Sequence, residues 1–308
     1  MKLHVESFGR VGAGSAFLYT LTNASGAYVR ITDYSGAVVA LGVPDKKGRV
    51  DGVVAGFRDV KQYVKNDGYL GALIGPVGNR IAGAAFDFGG AHYAFTPNEG
   101  GSTLLHSGDF GFHAGLWDVS CEVAETEGRL VLTRDFPEEK IGFPGNLKAT
   151  VTYTFTDANA LSIHYHIESD KPSFASPTNH TYFNLAGFGM KSLPEVGRQK
   201  IEIFADRYTT IDEKSIPTGT ADVRPARARE DRRRPRAGSG ERAAEERTGL
   251  RPQLHPLRRE GRKRAASRRA RDRRAHRPRD EGVHRHARRA VLQRQLPEPL
   301  QRRRAPVL

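Results

Sequence analysis

The sequence lacks the marks of several large protein classes. It has a single cysteine, Cys121, so no internal disulfide can form, and we interpret this thiol as a small core or strand residue. It has no apolar run of about 18 residues and no signal-peptide core, which predicts no membrane span, no secretion and a cytoplasmic location. The motifs GxGxxG, Walker A, CxxC and HExxH are also absent, which argues against dinucleotide, nucleotide-phosphate and common zinc sites.

Aromatic residues are missing from the end of the chain. All 15 Phe, all 10 Tyr and the one Trp lie at or before Tyr208. From Thr220 to Leu308 there are 28 Arg and 1 Lys against 11 Asp+Glu, a net charge of +18, whereas residues 1–219 carry −4. The overall charge of +14 is therefore an average over two unlike segments. We divide the chain into a domain at residues 1–219 and an Arg-rich tail at residues 220–308.

The composition of the tail indicates a shifted reading frame. All but five of its residues are of ten types (Ala, Asp, Glu, Gly, Val, His, Leu, Pro, Gln and Arg) whose codons can begin with G or C. A GC-rich gene places G or C at third codon positions, which become first positions when the frame slips by one nucleotide. The alternative is a genuine Arg-rich disordered arm. Such an arm could bind nucleic acid through phosphate. The composition disfavours that partner, because no aromatic residue is present to stack on bases and acidic residues are interspersed.

Residues 1–219 have the periodicity of β-strands. Gly89-Gly90 falls where a hairpin turn would, and only the stretch from Asp59 to Lys65 indicates a helix. Many short strands at near-regular spacing predict an all-β fold, a large antiparallel β-sandwich. The predicted strand runs are FLYTLTN, AYVRITDY, AVVALGVP, DGVVAGF, AAFDFGG, HYAFTP, LWDVSCEVA, RLVLTRDF, LKATVTYTF, ALSIHYHIE and KIEIFA.

Three polar clusters are candidates for a functional site. They contain Arg80 in GNRIAG, His106 in STLLHSG and His180 in SPTNHTYFNLAG. Each has an ordinary structural interpretation: a surface charge, a solvated loop histidine and a hydrogen-bonded turn histidine. The functional interpretation is a guanidinium fork for sugar hydroxyls or a carboxylate, with histidine as a proton donor or acceptor near neutral pH. Trp117, which follows the second cluster, is expected to pack rather than to bind.

The blocks GNRIAG, TLLHSGDFGFHAGLWDV, SPTNHTYFNLAG and ADRYTTIDEKSIPTG, in this order, resemble the aldose 1-epimerase family over about residues 5–219. The resemblance implies a β-sandwich of the galactose mutarotase type that binds hexose sugars in an open cleft, with no metal or organic cofactor. It also implies roles for single residues. His180 would be the general acid that protonates the ring oxygen, His106 and Arg80 would hold sugar hydroxyls, and Asn79 would help to shape the cleft.

Two residues that the family pattern supplies are absent from the sequence as written. They are a C-terminal glutamate that acts as general base and an aspartate in a GYDHNF-like stretch, so the base is unassigned and the sandwich is expected to be C-terminally incomplete. Codon choices exist for which residues 241–256, read one nucleotide later, give NEQLKNGLGYDHNFI, and residues 280–302 give MKVFTDMPAVQFYSGNFLNLYNG. The resulting hypothesis is a hexose mutarotase with impaired activity. The alternative is a non-catalytic carbohydrate-binding β-sandwich. The sequence carries no signal for the preferred sugar or the oligomeric state.

The shifted-frame hypothesis predicts a specific result from the gene. Resequencing across the codons for residues 215–241 should find an insertion or deletion that restores the GYDHNF-like stretch. An intact frame, with the Arg-rich codons confirmed in the transcript, would contradict the hypothesis and favour the disordered arm.

Overall fold

The computed structural model describes residues 1–188, 196–203, 205 and 207–223. The predictions for the Arg-rich tail therefore lie outside the described residues, apart from its first four positions. The proposed domain boundary at residue 219 falls inside a strand, Pro217–Val223.

Within these residues the chain is built almost entirely of strands, with two α-helices of five and four residues. The elements are β1 (Lys2–Val11), β2 (Gly14–Thr22), β3 (Tyr28–Thr32), β4 (Val38–Pro44), β5 (Val50–Gly52), α1 (Val60–Val64), β6 (Leu73–Ile74), β7 (Arg80–Ala82), β8 (Ala85–Phe88), β9 (Ala91–Ala94), β10 (Thr103–Leu105), β11 (Asp118–Val123), β12 (Glu127–Phe136), α2 (Glu138–Ile141), β13 (Leu147–Thr156), β14 (Leu161–Ser169), β15 (Thr178–Asn179), β16 (Arg207–Ile211) and β17 (Pro217–Val223). None of the described helices is long and apolar enough to span a membrane.

Two antiparallel sheets form the body of the fold. One is five-stranded in the order β1-β2-β3-β4-β5, and the other is four-stranded in the order β11-β12-β13-β14. Alternate residues of each sheet are buried, as the period of two along a strand requires. Side chains such as Val29 and Ile31 from the first sheet share a core with Leu130, Val151 and Tyr153 from the second. The predicted all-β sandwich is thus confirmed.

The opposite face of the five-stranded sheet carries a smaller apolar cluster. Val60 and Tyr63 of α1 pack there with Leu18 and Val39. The helix begins where the sequence predicts, because the side chain of Asp59 accepts a hydrogen bond from the backbone N–H of Lys61 at 2.6 Å and so caps the first turn.

Most of the predicted strand runs and the Gly89-Gly90 hairpin are confirmed by β2 to β5, β8, β9 and β11 to β14. The prediction for KIEIFA is wrong in the described part of that run, since residues 200–203 form no strand and Ile201 is 80% exposed. Apolar residues in alternation favour a strand only where a neighbouring strand and a core exist to receive them. The N-terminal strand β1 and the short helix α2 were not predicted.

Part of the apolar surface is left uncovered by the described residues. The inward-facing side chains of β14, among them Ile163, Tyr165 and Ile167, are only half-buried, whereas their counterparts on β13 are fully buried. Phe183 and Leu185, beyond β15, are 51% and 66% exposed. This surface is consistent with the expected C-terminal incompleteness of the sandwich.

Gly71 marks a close approach between two backbone segments. Its φ is +67°, and an added Cβ would lie 2.2 Å from the carbonyl oxygen of Val38. Gly83 has nearly the same φ, +66°, but nothing lies within 4 Å of the corresponding position. Alanine substitutions at the two glycines therefore distinguish the cost of backbone strain from the cost of steric overlap.

We expect Gly83→Ala to lower the free energy of unfolding by roughly 1–2 kcal/mol, the cost of a left-handed alanine. Gly71→Ala should cost several-fold more, because the overlap is with backbone and neither segment can move alone. Urea denaturation of both variants measures the difference. Equal losses would show that the segments can separate without cost.

Candidate functional site

The short ladder between β7 and β10 brings two of the candidate clusters together. In its antiparallel register Leu105 lies opposite Arg80 and Thr103 lies opposite Ala82. Residues 79 and 106, which flank this ladder, therefore face each other. The polar cluster around Arg80 and the one around His106 thus lie on the two paired strands of one small sheet.

Asn79 and His106 hold each other through two hydrogen bonds. The backbone N–H of His106 donates to the carbonyl oxygen of Asn79 at 2.9 Å, and the backbone N–H of Asn79 donates to Nδ1 of His106 at 3.0 Å. Because Nδ1 acts as the acceptor, the neutral imidazole carries its proton on Nε2. Both residues have positive φ, +65° and +54°, and His106 is only 5% exposed. The ordinary interpretation of His106 as a solvated loop residue is wrong.

His180 is positioned by the backbone of a neighbouring loop. Its N–H donates to the carbonyl oxygen of Ala72 at 2.9 Å, and its own carbonyl accepts from the N–H of Gly71 at 3.0 Å. The preceding residue, Asn179, donates from its side-chain amide to the carbonyl oxygen of Gly71 at 2.9 Å. This asparagine is a poor strand former, and its amide explains why the position is polar.

The rings of His106 and His180 meet nearly at right angles. Their centroids are 5.2 Å apart with an interplanar angle of 82°. Tyr69 packs edge-to-face on His106 at 4.8 Å and lies 5.9 Å from His180, and Tyr182 lies 5.0 Å from His180. Burial raises the pKa of Tyr69, and the carboxylates of nearby acidic residues raise it further, so the ring stays neutral. Two imidazoles framed by aromatic rings form a site suited to proton transfer and to packing on a sugar face.

Arg80 completes the described part of the cluster. Its Nε and Nη2 donate to the two carboxylate oxygens of Glu99 at 2.5 and 2.6 Å, and Nη1 donates to the side-chain oxygen of Asn79 at 3.3 Å. The guanidinium is mostly buried, at 13% side-chain exposure. The interpretation of Arg80 as a surface charge is therefore wrong.

His113 lies beside the cluster, on the other side of Tyr69. Its ring packs edge-to-face on Tyr69 at 5.0 Å. Burial lowers the pKa of His113 to about 4, although the carboxylate of Asp109 acts in the opposite direction, so the ring is neutral near pH 7. His113, Tyr69 and Asp109 also line a polar cavity of about 290 Å³ that does not include His106, His180 or Arg80. The cavity adjoins the predicted cluster, because Tyr69 lines the cavity and packs on His106.

The structure brings all four predicted residues, Asn79, Arg80, His106 and His180, into one region. Sequence reasoning missed Tyr69 and Glu99. A large aromatic residue between glycines in a turn was the available signal for Tyr69, whose φ is +55°. No local signal marked Glu99, because its partner is fixed only by the fold. Among the described residues no group of three or more His, Cys, Asp or Glu side chains is arranged to hold a metal ion.

Two residues near the clusters have structural roles. Trp117 is 1% exposed and donates from Nε1 to the carbonyl oxygen of Phe112 at 3.1 Å, so it packs as expected. Cys121 is an exposed residue of β11, so the interpretation of the thiol as a strand residue is confirmed.

Comparison with known proteins fits this geometry. The family model described as aldose 1-epimerase matches residues 18–241, which is more than half of the chain. The chain belongs to the aldose 1-epimerase family. It is 36% identical over 191 residues to the galactose mutarotase of Sus scrofa, covering 62% of this chain and 53% of that protein. It is 34% identical over 200 residues to the aldose 1-epimerase of Escherichia coli, covering 65% of this chain and 56% of that one. The chain thus spans about half the length of the curated relatives it matches.

Solved structures show the same fold. A GalM/aldose epimerase homologue from C. elegans superposes with a TM-score of 0.59 at 29% identity, over 68% of this chain and 61% of that one. The galactose 1-epimerase of Lactobacillus acidophilus gives a TM-score of 0.62 at 23% identity, over 72% of this chain and 63% of that one. The sandwich is therefore of the galactose mutarotase type.

The lowered pKa of His113 predicts a pH-dependent stability. The unfolded chain takes up a proton near pH 6.5, whereas the folded chain resists it until about pH 4, so stability falls as the pH drops through this window. The contribution is about 3 kcal/mol at most, at 1.36 kcal/mol per pKa unit. Urea unfolding at pH 7, 5.5 and 4.5 should show a shallower loss in His113→Gln than in the wild type. An equal loss of stability in His113→Gln and in the wild type would show that another group causes the pH dependence.

Proposed function

We propose that the chain has the active-site framework of an aldose 1-epimerase that interconverts the α and β anomers of hexoses such as galactose and glucose. The observation that carries the proposal is the perpendicular pair of His106 and His180, with Arg80 and Asn79 beside it. Family membership supports it. The chain matches about half the length of its relatives. The proposal therefore concerns the part of the site that the described residues form.

The reaction requires an acid and a base that act on one sugar. The base removes the proton from the C1 hydroxyl while the acid protonates the ring oxygen, and the C1–O5 bond breaks to give the open-chain aldehyde. Rotation about C1–C2 and reclosure on the other carbonyl face give the second anomer. Both groups must lie within hydrogen-bond reach of the substrate.

His180 is the proposed acid. Its backbone is held by residues 71 and 72, and its ring packs against the rings of Tyr69 and Tyr182, which restricts the ring before substrate arrives. His106 would donate to a sugar hydroxyl from Nε2, since its Nδ1 is engaged by Asn79. Arg80 would donate to hydroxyls through N–H groups that its protein partners do not use.

The general base is unassigned in the sequence as written. Glu99 is the carboxylate that contacts Arg80, but both of its oxygens accept from the guanidinium, which disfavours proton abstraction by it. The family match ends at residue 241, and the match covers only 53% and 56% of two curated relatives. We propose that the missing carboxylates belong to the same gene in the shifted frame, and that activity of this chain is impaired.

Two alternatives remain as outcomes of the test. A non-catalytic sugar-binding sandwich would keep the hydroxyl donors without turnover. Binding of nucleic acid through the Arg-rich tail lies outside the described residues, and a salt-dependent shift of DNA mobility would test it.

Polarimetry with α-galactose and α-glucose separates these functions. We expect the frame-corrected protein to interconvert anomers, and the chain as given to be slower by about 10²–10⁴-fold, the usual effect of losing one acid–base partner. His180→Ala should abolish most activity of the corrected protein, and His164→Ala, at an exposed position of β14, should not.

Three results would contradict the proposal. Equal rates for the given and corrected chains would mean that another carboxylate is the base. A fully active His180→Ala variant would mean that another group is the acid. Sugar binding without turnover in the corrected protein would establish the binding-module alternative.

A further inference from the structure

The guanidinium of Arg80 is held in one orientation by Glu99. The carboxylate accepts from Nε and Nη2 on the same edge of the guanidinium, at 2.5 and 2.6 Å. This side-on bidentate geometry fixes the plane of the guanidinium as well as its position, which a single contact does not do. The arginine side chain is 13% exposed and the glutamate side chain 34% exposed.

Glu99 is itself anchored to the strand that precedes His106. The side chain of Asn98 accepts from the N–H of Leu105 at 2.6 Å and donates to its carbonyl oxygen at 3.0 Å. The N–H of Glu99 donates to the carbonyl oxygen of Thr103 at 3.1 Å, and the N–H of Thr103 donates back at 3.0 Å. The backbone of Glu99 is therefore fixed to β10. The same strand pairs with β7, which carries Arg80.

Three of the N–H groups of Arg80 have partners among the described residues. A guanidinium has five N–H groups. Glu99 engages two of them and Asn79 a third, which leaves one N–H on each terminal nitrogen, in a plane set by the carboxylate. Two fixed donors can select hydroxyls by direction, whereas a freely turning guanidinium cannot.

We propose that Glu99 is a positioning residue that holds Arg80 in the orientation required to bind the sugar hydroxyls. The inference rests on the proposed function for the role of Arg80, but the holding of the guanidinium can be tested without a sugar. Glu99 acts here through Arg80 and not on the reacting atoms.

The chain offers a matched control. Glu127 pairs with Arg129 at 2.6 Å and its side chain is 35% exposed, close to the value for Glu99. The pair lies on β12, outside the candidate cluster. Glu127→Gln therefore removes a comparable charge and contact without touching Arg80.

The first measurement follows the arginine Nε–Hε signals of the full chain by ¹⁵N NMR, with Arg80 assigned by the loss of its signal in Arg80→Lys. We expect slow solvent exchange and restricted rotation in the wild type, lost in Glu99→Gln and kept in Glu127→Gln. Glu99→Asp, which keeps the charge on a shorter side chain, should restore part of the protection. An unchanged Arg80 signal in a folded Glu99→Gln variant would overturn the proposal.

The second measurement titrates galactose into the same proteins. Glu99→Gln should raise Kd about tenfold, or about 1.4 kcal/mol, and the same change in an Arg80→Lys background should alter Kd less than about twofold, since the partner is gone. A full effect in that background would mean that Glu99 contacts the sugar itself, and the positioning role would be wrong. If the wild type binds no hexose, the titration is made in the frame-corrected protein. If that protein binds none either, the proposed function fails instead, and the NMR signals alone decide whether Glu99 orients Arg80.

Discussion

Two hydrogen bonds between Asn79 and His106 hold the candidate site together. Each residue has a positive φ, which costs free energy for any side chain but glycine, so the surrounding structure must compensate. The compensation comes from the ladder of β7 and β10 and from the core beneath it, where Leu104 is buried. The same ladder sets the register of Arg80. If these strands separated, the tautomer of one imidazole and the place of the guanidinium would be lost together.

The sequence was sufficient to predict the sandwich, because alternating runs of β-branched and aromatic residues have few other stable uses in water. It also singled out His106, His180 and Arg80 as candidates, and the fold brings them into one region, but their roles come from the family resemblance and stay predictions. It was insufficient where a role depends on a partner far along the chain. Glu99 looks like any loop carboxylate until the fold places it on Arg80, and the buried state of His113 follows only from packing. The strand prediction for KIEIFA is wrong for the opposite reason. Its apolar residues alternate, but residues 200–203 pair with no neighbouring strand.

The described cluster would supply one half of the proposed acid–base mechanism. The proposed acid, the hydroxyl donors and their supporting contacts all lie between residues 69 and 182, within the described part of the chain. The opposing carboxylate would come from a segment beyond them. Catalysis by differential stabilisation needs both groups at once, whereas binding needs only the donors and the ring-packing surfaces. Sugar binding can therefore be retained in this chain while catalysis is lost.

The uncovered apolar surface gives the same conclusion from packing. The inner face of β14 is half-buried and Phe183 is 51% exposed, whereas the inner face of the neighbouring strand β13 is fully buried. An Arg-rich segment without aromatic residues has little to place against that surface, because buried arginine must be paired to offset its desolvation. The GYDHNF-like text of the shifted frame contains aromatic residues of the kind that could cover it. The proposed shifted frame would thus supply the missing aspartate together with aromatic residues for this surface, and the expected glutamate would lie beyond the two recovered stretches.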